Sequence, residues 1–289
     1  MNRKKTITAH MIVRNEDMWV WYSIMSVLHY VHKLIIFDTG SSDCTVDIIK
    51  TIVTDRRYGS KIVFEQKGLV DKKGFTALRQ EQIEMTTTDY FLVLDGDEIW
   101  YENSVSELAG LLNAVGPKLV ATRFINCAGD IHHYRDFSRE AYNIKGITGS
   151  ITIRAYSMSI NGIHCEGNYG VEGYYDQNGI TVQNNNEDIL VMNGYFLHTS
   201  LLRRSSNLWG DLSIGYRRKK IFFDWDYRFS KSFNYPEVFY MARPEIVPSP
   251  WEHRIDSLRL IIHSAKVVRS WLRRLKDKLI TQILLLDLM

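Results

Sequence analysis

The chain has 289 residues, of which 45% are hydrophobic and 24% charged, and its formal net charge is +3. This composition is that of an ordinary globular protein with a large core, and so small a net charge argues against nucleic acid as a partner. Three scattered cysteines, Cys44, Cys127 and Cys165, exclude a disulfide framework and a zinc pattern and suit a reducing compartment.

The N-terminus is basic, but the apolar run over residues 6–13 is too short and too interrupted for the core of a signal peptide. No stretch of the sequence approaches the roughly 18 consecutive apolar residues that a membrane-spanning helix needs. We therefore expect the protein in the cytoplasm, or on the cytosolic face of a membrane.

Up to Pro117 the sequence alternates between short apolar runs and apolar residues at helical spacing. Asn15 is expected to cap the first helix, and Ser104 with Glu107 to form a capping box for the fourth. This alternation predicts an α/β fold with a mostly parallel, Rossmann-like sheet flanked by helices, which binds ligands at the carboxyl ends of its strands. The predicted strands are 7–13, 33–37, 61–64, 90–94 and 119–124. Of the four predicted helices, the first follows Asn15, the second begins at Asp43, the third covers 74–85 and the fourth begins at Ser104.

The second half of the chain has a different pattern. From about residue 126 to 193, glycine, asparagine and tyrosine surround short strand-like runs such as 150–156, which predicts an antiparallel or loop-rich region. Three prolines mark 243–251 as a connector. Residues 256–286 are predicted to be helical, with an apolar stripe beside several arginines and lysines.

An acidic turn follows the fourth predicted strand. Asp95 and Asp97 are separated by one residue, and two carboxylates at this spacing can offer oxygens to a hard cation such as Mg²⁺ or Mn²⁺. Gly96 allows the backbone to approach a ligand closely. A divalent ion at this turn would neutralise the charge of a nucleotide diphosphate as it leaves. The alternative is a solvated acidic turn.

Polar residues at two other predicted element ends could contact the same nucleotide. Asp38, at the end of the second strand, can accept hydrogen bonds from a ribose or a base. Asp43 fits a helix cap equally well. Lys73 and Arg79, near the start of the third helix, could face a diphosphate, although an isolated lysine pair is more often a solvated basic turn.

Three later residues are candidates for a metal ligand and a general base. His198 follows apolar residues, and a lone histidine in such a setting is more often a core residue than a metal ligand. Glu166 and Glu172 could each take a proton from an acceptor hydroxyl. Either could equally be a solvated loop carboxylate, and spacing does not choose between them.

Four segments together resemble a family 2 glycosyltransferase with the GT-A fold, over about residues 5–200. The resemblance implies that Asp38 holds the nucleoside and that Arg79 lies near the donor phosphates. The matching segments are MIVRNE at 11–16, FDTGSSDCT at 37–45, FTALR at 75–79 and LDGDE at 94–98. The donor-site residues that it implies are Val13, Asn15, Asp38, Asp43, Lys73, Arg79, Asp95 and Gly96.

The resemblance also implies a site for Mn²⁺ or Mg²⁺, formed by Asp95, Asp97 and His198 with Asp97 as the direct ligand, which reverses the core interpretation of His198. Arg154 followed by His164-Cys165-Glu166 is similar to an arginine and a His-Glu pair of the family. Since Cys165 separates the histidine from the glutamate here, Glu166 and Glu172 both stay candidates for the base.

The function that the resemblance implies is metal-assisted, inverting transfer of a hexosyl or pentosyl unit. The donor is a nucleotide-diphosphate sugar, with UDP expected, and the acceptor is a hydroxyl of a glycan, a lipid-linked molecule or a protein. We expect a nucleotide-sugar-binding half at 1–125 and an acceptor-binding, catalytic half at 126–242 of one domain, followed by a helical extension at 243–289.

Two other functions remain open at this point. A metal-dependent nucleotidyltransferase usually has a glycine-rich, basic phosphate-binding loop after the first strand. Residues 11–16 contain no glycine, which argues against this function. The other alternative is a non-catalytic carbohydrate-binding protein on the same fold. The basic C-terminal helix could contact an anionic membrane, pair with a second subunit, or simply cover its own core.

Overall fold

The computed structural model of the chain describes residues 3–140, 142–207 and 225–252. The C-terminal helix predicted over 256–286, with its expected membrane or subunit contact, lies outside the described residues. Within the described part, no helix is both long enough and apolar enough to span a bilayer.

The N-terminal half contains the alternating elements that the sequence predicts. Its strands are β1 (Ile7–Val13), β2 (Lys33–Asp38), β3 (Ile62–Gln66), β4 (Tyr90–Val93), β5 (Glu98–Trp100) and β6 (Leu119–Ala128). Its helices are α1 (Val20–Val27), α2 (Thr45–Val53), α3 (Lys72–Glu84) and α4 (Glu102–Ala114).

The described residues of the second half form six strands of two or three residues and two longer ones. They are β7 (His133–Tyr134), β8 (Asn143–Ile144), β9 (Ile147–Thr148), β10 (Ile151–Ser157), β11 (His164–Glu166), β12 (Gly173–Tyr175), β13 (Ile189–Leu201) and β14 (Tyr227–Arg228).

The centre of the sheet is parallel. β1 pairs in parallel with β2 on one side and with β4 on the other, and β2 pairs in parallel with β3. Every residue of β1 is buried, because parallel strands are covered by helices on both faces. The predicted α/β class is confirmed.

The other half of the sheet is mixed. β10 lies between β4 and β6 and is antiparallel to both, and β6 then pairs in parallel with β13. β5 joins the far side of β13 in an antiparallel pair. The strand-like run predicted at 150–156 is the antiparallel strand β10 (Ile151–Ser157), and it joins the two halves of one sheet.

Asn15 does not cap the first helix, and that prediction is wrong. Its φ is 54°, in the left-handed region, and α1 begins only at Val20. Asparagine tolerates this conformation better than most residues. The side chain instead accepts a hydrogen bond from the Ser42 backbone N–H at 2.8 Å, so it connects two loops at one edge of the sheet.

The capping box at Ser104 and Glu107 is also wrong, because α4 begins at Glu102. Both side chains instead bind the backbone of β13. Ser104 Oγ accepts from Tyr195 N–H at 3.0 Å, and Glu107 accepts from the N–H groups of Asn193 at 2.9 Å and Gly194 at 2.8 Å. These contacts attach the strand that carries His198 to the N-terminal half.

We predict that Ser104→Ala lowers the free energy of unfolding by about 1–3 kcal/mol, because Ser104 is buried and its loss leaves the Tyr195 N–H without this acceptor. Urea denaturation measures the change. Ser106→Ala, at an exposed position of the same helix, is the control and should shift stability by less than about 0.5 kcal/mol. Equal stability of the two variants would contradict the role given to Ser104.

Candidate active site

The predicted polar residues meet at the carboxyl edge of the parallel strands. Val13, at the end of β1, lies opposite Asp38, at the end of β2. The acidic turn at 95–97 follows β4, which pairs with β1 on the other side. Asp38 and Asp95 therefore lie at the same edge of the sheet, on the two strands that flank β1, as strand ends in the sequence predict.

The loop after β2 is organised around the Asp38 carboxylate. Asp38 is buried, and its Oδ2 accepts hydrogen bonds from the N–H groups of Gly40 at 3.0 Å and Ser41 at 3.1 Å. Asn15 donates its own N–H to Ser41 Oγ at 2.9 Å. These bonds hold Asn15 and the loop as one wall at the predicted nucleoside position.

Asp43 lies at the end of this wall, just before α2. Its Oδ1 accepts from the Thr45 N–H at 2.9 Å, which satisfies a free donor in the first turn of the helix. Its Oδ2 accepts from the Ser205 hydroxyl at 2.5 Å. Both carboxylate oxygens are used within the protein, so these contacts agree with the cap interpretation of Asp43.

The acidic turn needs glycine at its centre. A Cβ on Gly96 would lie 2.9 Å from Val13 Cγ1 and 3.1 Å from Glu16 Cγ, closer than side chains normally pack. Gly96 thus lets the turn lie directly against the end of β1.

Arg79, which is buried, and Arg154, which is half-buried, hold Asp95. Arg79 NH2 lies 2.9 Å from Asp95 Oδ1, and Arg154 NH2 lies 3.3 Å from Asp95 Oδ2. Burial would raise the pKa of Asp95, but Arg154 and Arg79 outweigh it and hold that pKa below its ordinary value. Asp95 is therefore an anion whose charge is balanced by the protein.

Glu98 lies beneath the turn and is fully buried. It forms an ion pair with Arg154, which thereby connects it to Asp95. Burial raises the pKa of Glu98 well above its ordinary value, and Arg154 opposes this rise. Because it is fully buried, Glu98 supports the turn from within and does not face a substrate.

Asp97 faces the other side of the turn, where β13 brings His198. His198 Nε2 lies 3.5 Å from Asp97 Oδ1, and Arg204 NH1 lies 3.3 Å from Asp97 Oδ2. The Asp97 carbonyl accepts from the Thr199 N–H at 2.8 Å, which fixes the turn to the strand. The structure thus brings together two of the three residues that the resemblance assigns to the metal, Asp97 and His198.

The donor set at this point fits a divalent cation only in part. A carboxylate oxygen suits Mg²⁺ or Mn²⁺, and imidazole is a common metal ligand, so Asp97 and His198 are chemically suited to hold one. Asp95 instead faces Arg79 and Arg154. Among the described residues, no group of three or more histidine, cysteine or acidic side chains is assembled that could hold a metal ion. The metal site stays a prediction.

The two basic residues predicted on α3 have different environments. Lys73 is exposed in the first turn of the helix, which agrees with the alternative that the lysine pair is a solvated basic turn. Arg79, later in the same helix, is buried and points to Asp95.

The candidate bases lie on and beside the β11–β12 hairpin. Glu166 is exposed, with its Oε1 3.1 Å from His164 Nε2. Because side chains alternate along a strand, the intervening Cys165 is buried against α3 while His164 and Glu166 share the outer face. Glu172 is less exposed and accepts a hydrogen bond from the Gly170 N–H.

Tyr169 connects Glu172 electrostatically with the acidic turn. Burial is the largest cause of the raised pKa of Tyr169, and the charges of Asp95, Asp97 and Glu172 also raise it, while Arg204 opposes them. Glu172 therefore lies within electrostatic range of the same ring as the acidic turn.

Arg154 is singled out in the sequence only through the family resemblance, without its partners Asp95 and Glu98, and Arg204 is not singled out at all. Arg154 lies at a register shift between Ile153 and Ala155, which departs from strand alternation and which periodicity does not show. Arg204 follows β13 directly, and the only sequence signal for it is the basic pair that it forms with Arg203.

Comparisons with known proteins show the family of the chain. The family model of glycosyl transferase family 2 matches residues 8–171, more than half of the chain and including all of the acidic turn. The SPbeta prophage-derived glycosyltransferase SunS of Bacillus subtilis (strain 168) is 30% identical over 104 residues, which cover 36% of this chain. The match spans only 23% of the length of SunS.

Solved structures show a more distant similarity. S. aureus TarS 1-349, crystallised with UDP-GlcNAc, has a TM-score of 0.47 at 11% identity, over 67% of this chain and 58% of that one. Glucosyl-3-phosphoglycerate synthase from Mycobacterium tuberculosis, crystallised with Mn²⁺, UDP and glucosyl-3-phosphoglycerate, has a TM-score of 0.32 at 23% identity, over 42% and 44% of the two chains. At these values neither structure carries a functional argument. The family match over residues 8–171 does identify the chain, which belongs to glycosyl transferase family 2.

Proposed function

We propose that this protein transfers a hexosyl or pentosyl unit from a nucleotide-diphosphate sugar to a hydroxyl group, with inversion at the anomeric carbon. The acceptor hydroxyl belongs to a glycan, a lipid-linked molecule or a protein, and UDP is the nucleotide to test first. The observation that carries the proposal is the Asp97–His198 pair at the edge of the parallel sheet, in a chain of this family.

The nucleoside would lie along the wall formed by Val13, Asn15 and the loop after Asp38. Asn15 and Asp38 already hold the loop in place, so little ordering is needed when the nucleotide binds. Gly96 lets the acidic turn lie against Val13, which brings the proposed diphosphate position next to the nucleoside position. Arg79 acts at this turn by holding Asp95.

Asp97 and His198 would hold Mn²⁺ or Mg²⁺. A divalent ion supplies Lewis acidity and positive charge to a leaving diphosphate. The protein contributes Arg204, whose guanidinium lies beside Asp97 and adds positive charge on the same side of the turn. Asp95 supports the turn through its arginines and orients it rather than contacting the ion directly.

Inversion requires the acceptor oxygen to attack from the face opposite the leaving diphosphate, while a carboxylate takes its proton. Glu166 and Glu172 are the two candidates. Glu172 is favoured because its charge, like those of Asp95 and Asp97, adds to burial in raising the pKa of Tyr169, which places it on the same side as the acidic turn. Glu166 is favoured by its hydrogen bond with His164, which orients its carboxylate.

We predict that Asp97→Ala abolishes release of UDP from a UDP-sugar while the fold is retained. UDP release in the presence of Mn²⁺ measures the activity, and circular dichroism measures the fold. Asp47→Ala, an exposed position in α2, is the matched control and should keep full activity. Full activity of a folded Asp97→Ala variant would refute the assignment of the acidic turn.

We predict that the kcat values of Glu166→Gln and Glu172→Gln show which of the two glutamates is the general base. Replacement of the base should lower kcat by about 100-fold or more, because general base catalysis contributes roughly 10²–10⁴-fold, with little change in donor affinity. The other variant should stay near the wild-type rate. If both variants keep wild-type kcat, the base is neither residue.

A further inference from the structure

Three neighbouring strands carry one row of polar side chains. Glu98 of β5 pairs with His198 of β13, and His198 pairs in turn with Asn126 of β6. Side chains of directly paired residues project from the same face of a sheet. Asn126 therefore follows His198 on the face that carries the acidic turn, one strand further from the parallel core.

Two atoms in this row have unused hydrogen-bonding capacity. Asn126 is buried, and its Oδ1 has no hydrogen-bond partner among the described residues; the same holds for Nδ1 of His198. A buried polar atom without a partner destabilises the fold, so two such atoms on paired residues point to a place where a ligand could supply the missing hydrogen bonds.

A carboxylate and an aromatic ring lie next to Asn126. The Asn126 Nδ2 donates to Glu140 Oε1 at 3.0 Å, and this bond leaves the buried Oδ1 as the unused acceptor of the amide. Tyr142 is 54% exposed and meets Phe124 edge-to-face, with ring centroids 6.4 Å apart. Phe124 in turn meets the His198 ring edge-to-face at 5.4 Å. The Phe124 ring thus lies between the exposed Tyr142 ring and the His198 ring.

The chemistry of these groups selects the ligand. The Asn126 Oδ1 and the Glu140 carboxylate both accept hydrogen bonds, so a ligand must bring donors. Hydroxyl groups meet this need, because each can donate to one of these oxygens. Arg135 Nη1 lies 3.7 Å from Glu140 Oε1 and already balances its charge, so the ligand itself need carry no charge. An exposed tyrosine ring supplies the apolar surface that binding sites combine with a few polar groups.

We propose that Asn126, Glu140 and Tyr142 form the acceptor subsite, and that it takes an uncharged pyranose through two neighbouring hydroxyl groups. This inference rests on the transfer proposed above and makes the acceptor a sugar. The hydroxyls donate to Asn126 and Glu140, and the ring of the pyranose lies against Tyr142. Its position beside His198 places the acceptor next to the predicted leaving group.

The test is binding of simple glycosides without any donor. Methyl glycosides of glucose, galactose, mannose and N-acetylglucosamine are added to the full chain, and saturation-transfer NMR measures their affinity. At least one should bind, and Asn126→Ala should weaken it by about tenfold or more, since 1.4 kcal/mol corresponds to a factor of ten. Tyr142→Ala should weaken it several-fold and, at an exposed position, should not disturb folding.

Two controls keep this result separate from the proposed function. Tyr240→Ala removes another tyrosine that is 67% exposed, and it should bind the glycoside as the wild type does. Asp97→Ala should lose UDP release but keep glycoside binding. If no methyl glycoside binds, or if Asn126→Ala and Tyr142→Ala bind with unchanged affinity, the subsite is wrong even when UDP release is normal. If glycosides bind but UDP-sugars are never cleaved, the proposed glycosyl transfer is refuted, while the proposed sugar-binding subsite is supported.

Discussion

The ion pairs of Arg154 with Glu98 and Asp95 are the constraint on which the rest of the site depends. Glu98 is fully buried, and a buried carboxylate is tolerated only when a partner compensates its lost hydration. Removing one partner of such a pair typically costs about 3–5 kcal/mol. The acidic turn therefore keeps its shape only if Arg154 lies between Glu98 and Asp95.

The topology of the sheet places Arg154 there. β10 enters the sheet antiparallel between β4 and β6, and a register shift next to Arg154 interrupts its regular alternation with β6. β13 lies on the other side of β6 and carries His198 to the opposite side of the turn. The parallel half alone presents Asp95 and Asp97, and the antiparallel half supplies the positive charge and the imidazole that surround them.

Sequence periodicity predicted the parallel strands well because they are buried on both faces and appear as continuous apolar runs. It could not predict the position of β10, since strand order depends on contacts between distant segments. It also misjudged Asn15 and Ser104, two residues with typical capping side chains. In both, the side chain binds the backbone of a distant segment, Ser42 for one and Tyr195 for the other, and local spacing contains no sign of such contacts.

The candidate site was predictable to a similar extent. The positions of Asp38 and of the acidic turn followed from strand ends alone, whereas His198 was favoured as a ligand only through the family resemblance, and the structure places it beside Asp97. The base could not be chosen from spacing, because an extra Cys165 alters the local pattern and both glutamates lie on a hairpin apart from the sheet.

The most direct measurement of the central claim is a crystal structure of the chain with UDP and Mn²⁺, recorded with anomalous scattering from manganese. The account predicts one strong anomalous peak within coordination distance of Asp97 and His198, with the uridine along the loop of Asp38 and the diphosphate at the acidic turn. Manganese or uridine bound at any other part of the molecule, with this edge of the sheet unoccupied, would contradict it.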